Sequence, residues 1–379
     1  MNTIKGITWD HPRGFDSIVA ATEQFHKNTD TCRIVWDKRS LTEFGDLSLA
    51  KLTDKYDLLI IDHPFVGEAH TGKLLMPLEK ILSNDFLENQ SQLHIGPCYA
   101  SYAFEGHQYA LPIDAAAQCC AINAKQITPA YIPTNWEEYL DGMRDRNFSK
   151  RVLWPLCPTD LWCSFLTLMA QLGRKNNCDV FVEEGLNVEL TLEALDLLKQ
   201  LTENVALECM NMNPIETLVK LAEEDYYLFC PLIFGYNNYS RSGSGQIEFA
   251  NALCHKGQLA SSVLGGAGIA VSSKSIHHIE IKEFLQFIMR DEILSGPYFE
   301  AGGQPSLKSS WSSNILNDRT LDFFNMTFDT INSAYTRPRF AGFNSFQNEA
   351  AQLMHGTMNG FSGATIVRAI NNLYHMHCH

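Results

Sequence analysis

The sequence predicts an α/β protein of two lobes, and three observations lead to this fold class. The chain has 379 residues, 45% of them hydrophobic, whereas one domain usually holds about 100 to 200 residues. Its first part alternates short apolar strands with amphipathic helices, the pattern of a layered α/β structure. Between residues 99 and 123 the pattern changes to the period of two typical of extended strands. We interpret that change as the crossing into a second lobe.

The first lobe is predicted as three strands joined by helices. Strands are predicted over residues 4–9, 32–36 and 57–61, and helices over residues 15–26 and 41–52. The third strand is a continuous apolar run, as in strands buried within a parallel sheet. Ligands of open α/β sheets bind beyond the carboxyl ends of the strands. The candidate binding loops are therefore residues 10–14, 38–41 and 62–68.

The rest of the chain is predicted to be mainly helical, after a turn at Gly106 and an extended crossing segment. Helices are predicted over residues 136–145, 159–172, 191–203, 216–224, 277–295, 316–335, 346–358 and 364–374, with a strand over residues 226–233. The first of these helices follows Thr134 and Asn135, whose side-chain oxygens suit helix N-caps.

Charge and hydropathy exclude several classes of partner. The formal net charge is −14, and a field of that sign repels phosphate backbones and anionic lipid. We therefore expect no nucleic acid partner. No run of about 18 apolar residues occurs, so we expect no membrane insertion.

The cysteines and the amino-terminal residues indicate the cellular compartment. Eleven cysteines is an odd number, and Cys119 and Cys120 are adjacent, a spacing that hinders a bridge between them. Cysteines in apolar contexts are typical of a reducing compartment. The first ten residues lack the features of a secretory leader. The sequence favours a cytoplasmic location, or a periplasmic or extracellular one if a leader was removed.

Several ordered motifs give the chain a family resemblance. They are the stretches 56–67 and 72–78, Gly106 with Tyr109-Ala110-Leu111-Pro112, residues 133–139, residues 229–232 with Gly235-Tyr236, and residues 264–271. In this order the chain resembles extracellular solute-binding protein family 1, the maltose-binding-protein-like substrate-binding proteins of ABC importers. Within it, the chain is similar to a group that lacks an evident signal peptide and carries motifs found here at residues 9–14, 62–64, 302–305 and 337–339.

The resemblance implies a fold and a function. The fold would be periplasmic-binding-protein-like type II, two lobes with mixed sheets and a multi-strand hinge. Residues 1–112 and 262–304 would form the N-terminal lobe, and residues 113–261 and 305–379 the C-terminal lobe. The protein would be a monomer that closes its lobes on a small polar ligand (a sugar, a polyol or a small carboxylate) and serves an ABC permease. Residues 118–123 replace the aliphatic stretch of the sugar binders, which weighs against a carbohydrate.

The alternative function is a cytosolic ligand sensor or an enzyme built on the same fold. An enzyme needs a nucleophile with its base or a bound cofactor. Cys119, Cys120 or Cys157 with His11 or His63 could supply the first, but no spacing demands it. The sequence therefore predicts a binding protein, with no catalytic residue and no cofactor.

Strand-end residues are the first candidates for ligand binding. Asp10 and His11 follow the first strand, Ser40 lies in the second loop, and Asp62 and His63 follow the third strand. Carboxylates there accept hydrogen bonds from ligand hydroxyls, and imidazoles donate them. The alternative role of the two aspartates is to cap the next helix.

A second set of candidates lies further along the chain: Asp114, Trp154, Tyr236, Asn237, Gly266, Gln304 and Arg337. The resemblance implies a hinge carboxylate at Asp114 and an aromatic platform at Tyr236. The alternatives are a hinge salt bridge for Asp114, loop packing for Tyr236, backbone approach for Gly266 and surface ion pairing for Arg337.

A metal site has weak support in the sequence. Histidine and aspartate suit zinc, but a third and fourth ligand at diagnostic spacing are missing. The terminal run His375, His377, Cys378 and His379 has suitable atoms, yet a frayed, solvated terminus is the expected state. We therefore predict no metal.

Overall fold

The computed structural model describes residues 2–46, 48–145, 148–241, 247–357 and 360–378. The chain forms two compact units. Unit 1 holds Met1–Ala116, Gly265–Leu316 and Arg337–Asn344, and unit 2 holds Ala117–Leu264, Asn317–Thr336 and Ser345–His379. The sequence placed residues 305–316 in the second lobe. They belong to unit 1, where Pro305 bridges to Asp114 and Leu307 to His94.

Unit 1 contains a mixed sheet covered by helices. The strands of unit 1 are β1 (Asn2–Trp9), β2 (Cys32–Arg39), β3 (Leu58–Ile61), β4 (Ala103–Phe104), β5 (His107–Gln108), the first part of β6 (Ala110–Asn123) and β11 (Leu264–Val271). Strands β4 and β5 form a separate two-stranded sheet. Its helices are α1 (Phe15–His26), α2 (Leu41–Asp46), α3 (Leu49–Thr53), α4 (Phe65–Thr71), α5 (Asn84–Leu93), α6 (Cys98–Ser101), α11 (His278–Ile288), α12 (Asp291–Ile293), α13 (Lys308–Trp311) and α14 (Asn314–Asp318), which runs into unit 2.

The pairing of these strands aligns their carboxyl ends. Strand β1 pairs in parallel with β2 on one side and with β3 on the other. Strand β11 is antiparallel to β3, and β6 lies beside β11. The three predicted binding loops therefore leave the same edge of this sheet.

The core of unit 1 covers both faces of the sheet. In β3, Leu58 and Ile60 belong to one apolar cluster, and Leu59 and Ile61 to the other. Successive side chains of a strand point to opposite faces. This explains the continuous apolar run that predicted a doubly covered strand.

Unit 2 is mainly helical around three strands. Its strands β9 (Phe229–Phe234) and β10 (Ile247–Ala250) both pair antiparallel with the second part of β6, and β7 (Phe181–Val182) pairs with β8 (Gly185–Leu186). Its helices are α7 (Trp136–Arg144), α8 (Pro158–Asn176), α9 (Val188–Thr202), α10 (Pro214–Glu223), α15 (Phe323–Met326), α16 (Phe328–Asn332), α17 (Phe343–Thr357), which begins in unit 1, and α18 (Gly363–Cys378).

Several predicted elements differ from the observed ones. The helix predicted over residues 41–52 is two short helices, α2 and α3, and that predicted over residues 277–295 ends at Ile288. The helix predicted over residues 316–335 is broken because Leu321 and Asp322 adopt left-handed backbone angles, φ 48° and 59°. The carboxyl terminus is helical to Cys378, where a frayed end was expected. His377 pairs there with Glu349 at 3.1 Å; His379 lies outside the described residues.

Among the described residues, no helix combines the length and the apolar character that crossing a bilayer requires.

Candidate functional site

The end of β1 carries Asp10 and His11. Asp10 is exposed, and its Oδ1 accepts from Lys38 Nζ at 2.7 Å. His11 Nδ1 accepts from the backbone N–H of Arg13 at 3.1 Å, so the proton of the neutral ring is on Nε2. Burial, together with the charge of Arg13, lowers the pKa of His11 to about 4. At neutral pH, His11 is thus an uncharged ring with an Nε2–H donor.

Asp114, on β6, forms a buried ion pair with Arg13. Arg13 Nε donates to Oδ2 at 2.7 Å and Nη2 to Oδ1 at 2.5 Å. The side chains are only 4% and 1% exposed. Burial raises the pKa of Asp114, and the charge and hydrogen bonds of Arg13 oppose that rise. Both carboxylate oxygens are engaged, which is the structural salt bridge that the sequence left as the alternative.

Asp62, His63 and Arg337 come together at the end of β3. Arg337 Nη2 donates to Asp62 Oδ2, and His63 Nδ1 lies 3.1 Å from Asp62 Oδ1. Arg337 is 4% exposed and the Asp62 side chain 18%, so the surface ion pairing given as the alternative role of Arg337 is wrong. Two adjacent predicted residues, Asp62 and His63, and a remote one, Arg337, thus form one cluster in unit 1.

The pKa values of Asp62 and His63 are both lowered, but for different reasons. Burial alone would raise the pKa of Asp62, but the charge of Arg337, with His63, outweighs burial and holds it below its ordinary value. Burial lowers the pKa of His63 to about 4, although Asp62 opposes the shift. At neutral pH the cluster therefore holds an ionised Asp62, a charged Arg337 and an uncharged His63.

Ser40 has a structural role in the loop after β2. Its backbone N–H donates to Glu43 Oε2 at 2.9 Å, and the Glu43 N–H donates back to Ser40 Oγ at 3.2 Å. These reciprocal bonds are a capping box at the start of α2. The Ser40 side chain therefore caps α2, and we leave Ser40 out of the proposed site.

Gln304 and Gly266 both contact the backbone of β6. Gln304 is fully buried, and its Nε2 donates to the carbonyl of Ala115 at 2.7 Å. Gly266 has φ +105°, and a Cβ built on it would lie 2.5 Å from the carbonyl oxygen of Asp114. Both residues therefore hold β6 in place, and a side chain at position 266 has no room.

Replacing Gly266 with alanine is expected to lower the free energy of unfolding by about 2 kcal/mol, because a left-handed φ and a backbone clash act together. Gly106→Ala is the matched control, since Gly106 has φ +78° but an open Cβ position. The loss of stability in Gly106→Ala should be smaller, because this variant introduces backbone strain without a clash. Urea denaturation of both variants measures this, and equal losses would show that the clash is relieved by a backbone shift.

In unit 2, Tyr236 and Asn237 follow β9. Tyr236 is 6% exposed and meets the ring of Tyr239 edge-on at 6.3 Å. Asn237 is fully buried, and its Oδ1 accepts from Arg241 Nε at 2.9 Å. The loop after this strand thus combines two phenol rings with an amide and a guanidinium.

Trp154 lies in the core of unit 2. It is fully buried and stacks on Trp136 with ring centroids 6.0 Å apart. Its Nε1 donates to Ser164 Oγ at 3.0 Å. A side chain that is buried and satisfied in this way packs the core, so we leave Trp154 out of the proposed site.

Two of the thiols considered for catalysis, Cys120 and Cys157, are not activated. Burial raises the pKa values of Cys120 and Cys157 well above normal, whereas a nucleophilic cysteine needs a lowered one. Cys157 Sγ donates to Asp160 Oδ2 at 3.0 Å; burial raises the pKa of that carboxyl to about 7. His11 and His63 belong to unit 1, and these cysteines to unit 2. Among the described residues, no group of three or more His, Cys, Asp or Glu is placed to hold a metal.

Sequence reasoning missed two arginines. Arg13 lies within the motif at residues 9–14 and pairs with Asp114. Arg39, the last residue of β2, is 6% exposed. The available signal was their position, since both flank carboxyl ends of predicted parallel strands.

The fold is that of the ABC-transporter solute-binding proteins, as the resemblance implied. MalE3 of T. maritima, solved with maltose, is 16% identical, with 99% of this chain and 100% of that chain covered and a TM-score of 0.83. An ABC-transporter solute-binding protein from Agrobacterium radiobacter, in complex with ribitol, is 15% identical over 98% and 97%, with a TM-score of 0.81. Another from Thermotoga lettingae, bound with α-D-tagatose, is 14% identical over 98% and 100%, with a TM-score of 0.79.

No protein-family model and no curated protein matches the chain.

Proposed function

We propose that this protein is a solute-binding protein whose two units close on a small polar ligand, a sugar, a polyol or a small carboxylate, on behalf of an ABC permease. The observation that carries the proposal is the fold match over nearly the whole length of proteins solved with maltose, ribitol and tagatose. In such a mechanism the ligand shifts the population toward the closed form.

Polar groups in both units support this function. In unit 1 the proposed binding residues are Asp10, His11, Asp62, His63 and Arg337, all at or beside the strand ends. In unit 2 they are Tyr236 and Asn237, where a tyrosine ring offers an apolar face and a hydroxyl. Such a set provides donors, acceptors and a stacking surface for a polyhydroxylated or carboxylated solute.

The departure of residues 118–123 from the sugar binders does not weigh against a carbohydrate. Gln118 is fully buried; its amide donates to Ser164 at 3.2 Å and accepts from Thr167 at 2.6 Å. Cys119 and Cys120 are each 1% exposed. Because these side chains pack the interior of unit 2, the departure concerns core packing, and sugars remain in the proposed ligand class.

The second candidate function is a ligand sensor in a reducing compartment, the cytoplasm. All eleven cysteines are free and eight of them are buried; the Cys119 thiol, for example, donates to the carbonyl of Ile233 at 3.5 Å. Secreted proteins more often pair their cysteines. This observation is what supports the sensor as the second candidate.

A thermal-shift screen tests the binding function. A sugar, polyol or small carboxylate is expected to raise the unfolding midpoint, since a ligand that binds only the folded state stabilises it. Tyr236→Ala should weaken the affinity for that ligand by about tenfold, the loss expected for one stacked ring. Tyr131→Ala, at a site 74% exposed, is the control and should leave it unchanged. No shift with any class would contradict the proposal.

A further inference from the structure

Arg39 is a buried cation with incomplete hydrogen bonding. It is 6% exposed, and its Nη2 donates to the carbonyl of Ile60 at 3.0 Å. Its Nε and Nη1 are buried and have no hydrogen-bond partner among the described residues. Buried guanidinium groups are normally paired with an anion, because burying a lone charge is costly.

The nearby carboxylates are engaged elsewhere. Asp10 accepts a hydrogen bond from Lys38, and Glu43 accepts one from Ser40. Asp37 accepts a hydrogen bond from the Tyr56 hydroxyl at 2.9 Å. Arg39 forms no ion pair within the part of the chain that the structure describes. Burial accordingly lowers the pKa of Arg39 to about 10. Among the described residues, Glu43 is a carboxylate whose charge acts on Arg39, but it forms no ion pair with the guanidinium.

Trp9 adds a further donor beside Arg39. The two residues are register partners on adjacent parallel strands. Phe44 packs against both, with its centroid 5.0 Å from the Trp9 ring and 5.2 Å from Arg39 Cζ. Trp9 Nε1 is also buried without a hydrogen-bond partner among the described residues. Three buried nitrogen atoms, two of Arg39 and one of Trp9, thus lack an acceptor among the described residues.

We propose that Arg39 and Trp9 bind an oxyanion at the carboxyl ends of β1 and β2. The group is a phosphate, sulfate or carboxylate, because a guanidinium and an indole N–H only donate, and charged oxygens are their strongest acceptors. The oxyanion is either a free inorganic ion or the anionic group of an organic solute. The site lies within unit 1 and does not depend on the proposed function.

The test compares oxyanions at constant ionic strength. Sodium phosphate, sodium sulfate and sodium acetate are each titrated into the desalted wild-type protein, and the unfolding midpoint and the indole ¹⁵N–¹H resonance of Trp9 are followed. At least one should give a saturable rise in the midpoint and a matching shift of that resonance. Saturation by phosphate or sulfate assigns a free inorganic ion, and saturation by acetate alone assigns a carboxylate of an organic solute.

Three variants test whether Arg39 and Trp9 bind the oxyanion. Arg39→Met should abolish the saturable rise, and Trp9→Phe, which keeps an aromatic ring, should weaken the affinity by about tenfold. Arg33→Met, at an exposed position of the same strand, is the control for charge loss and should bind like the wild type. Without oxyanion, Arg39→Met should unfold no earlier than the wild type, because it removes an uncompensated charge. Absence of saturation in the wild type, or its persistence in Arg39→Met, would overturn the proposal.

Loss of sugar or polyol binding in Tyr236→Ala would leave the oxyanion response intact. Failure of the proposed function and failure of the oxyanion site are therefore distinguishable.

Discussion

Replacing Arg13 with methionine is expected to lower the free energy of unfolding by about 3–5 kcal/mol, the usual cost of removing one partner from a buried ion pair. The variant leaves the Asp114 carboxylate, which is 1% exposed, without its two donors from Arg13. A buried carboxylate that loses its partner must be protonated or rehydrated, and either change disrupts β6. Urea denaturation at neutral pH measures the loss.

Two controls separate burial from charge. Lys38→Met breaks the Lys38–Asp10 pair, whose side chains are 49% and 55% exposed, and should cost less than about 1 kcal/mol. The double variant Arg13→Met/Asp114→Leu should recover most of the stability, because an apolar pair needs no solvation. If Arg13→Met cost no more than Lys38→Met, the buried pair would not hold β6.

The fold was accessible from the sequence because its signals are local. The strand–helix alternation of the first lobe and the turn at Gly106 depend on periodicity and on residues that tolerate a left-handed backbone. Breaks within helices were missed where a single residue decides them, as at Leu321 and Asp322. Leucine rarely adopts a left-handed angle; aspartate does so more often, but the residue type alone does not determine the angle.

The partners of the site residues were not accessible in the same way. Asp62 and Arg337 are 275 positions apart, and no periodicity links them. The strand-end rule located Asp10, Asp62 and their neighbours, but it does not say which charges pair. Ser40, Gln304 and Trp154 were chosen for their chemistry, and each bonds instead to its own protein surroundings. Arg39 could not be selected from the sequence, because its lack of acceptors is evident only when the groups around its guanidinium are known.

The free energy of unfolding is expected to fall by about 3 kcal/mol through His63 as the pH drops from 6.5 to 4. The pKa of His63 is lowered to about 4 in the folded protein from an ordinary value of 6.5. Below pH 6.5 the unfolded chain therefore binds a proton at His63, whereas the folded protein does not bind it until the pH is near 4. The stabilisation is complete above pH 6.5 and is lost at about 1.4 kcal/mol per pH unit down to the folded pKa.

The variant His63→Gln isolates this contribution from those of His11 and His94, whose pKa values burial also lowers. Urea denaturation at several pH values should show a slope smaller by up to one proton per molecule in His63→Gln. His107→Gln, whose side chain is 48% exposed, should keep the wild-type slope. An unchanged slope in His63→Gln would mean that His63 is protonated within the folded cluster, where Asp62 would have to offset the charges of Arg337 and Arg339. Protonation would then add a third cation around a single carboxylate, so the neutral ring is the state that this cluster favours.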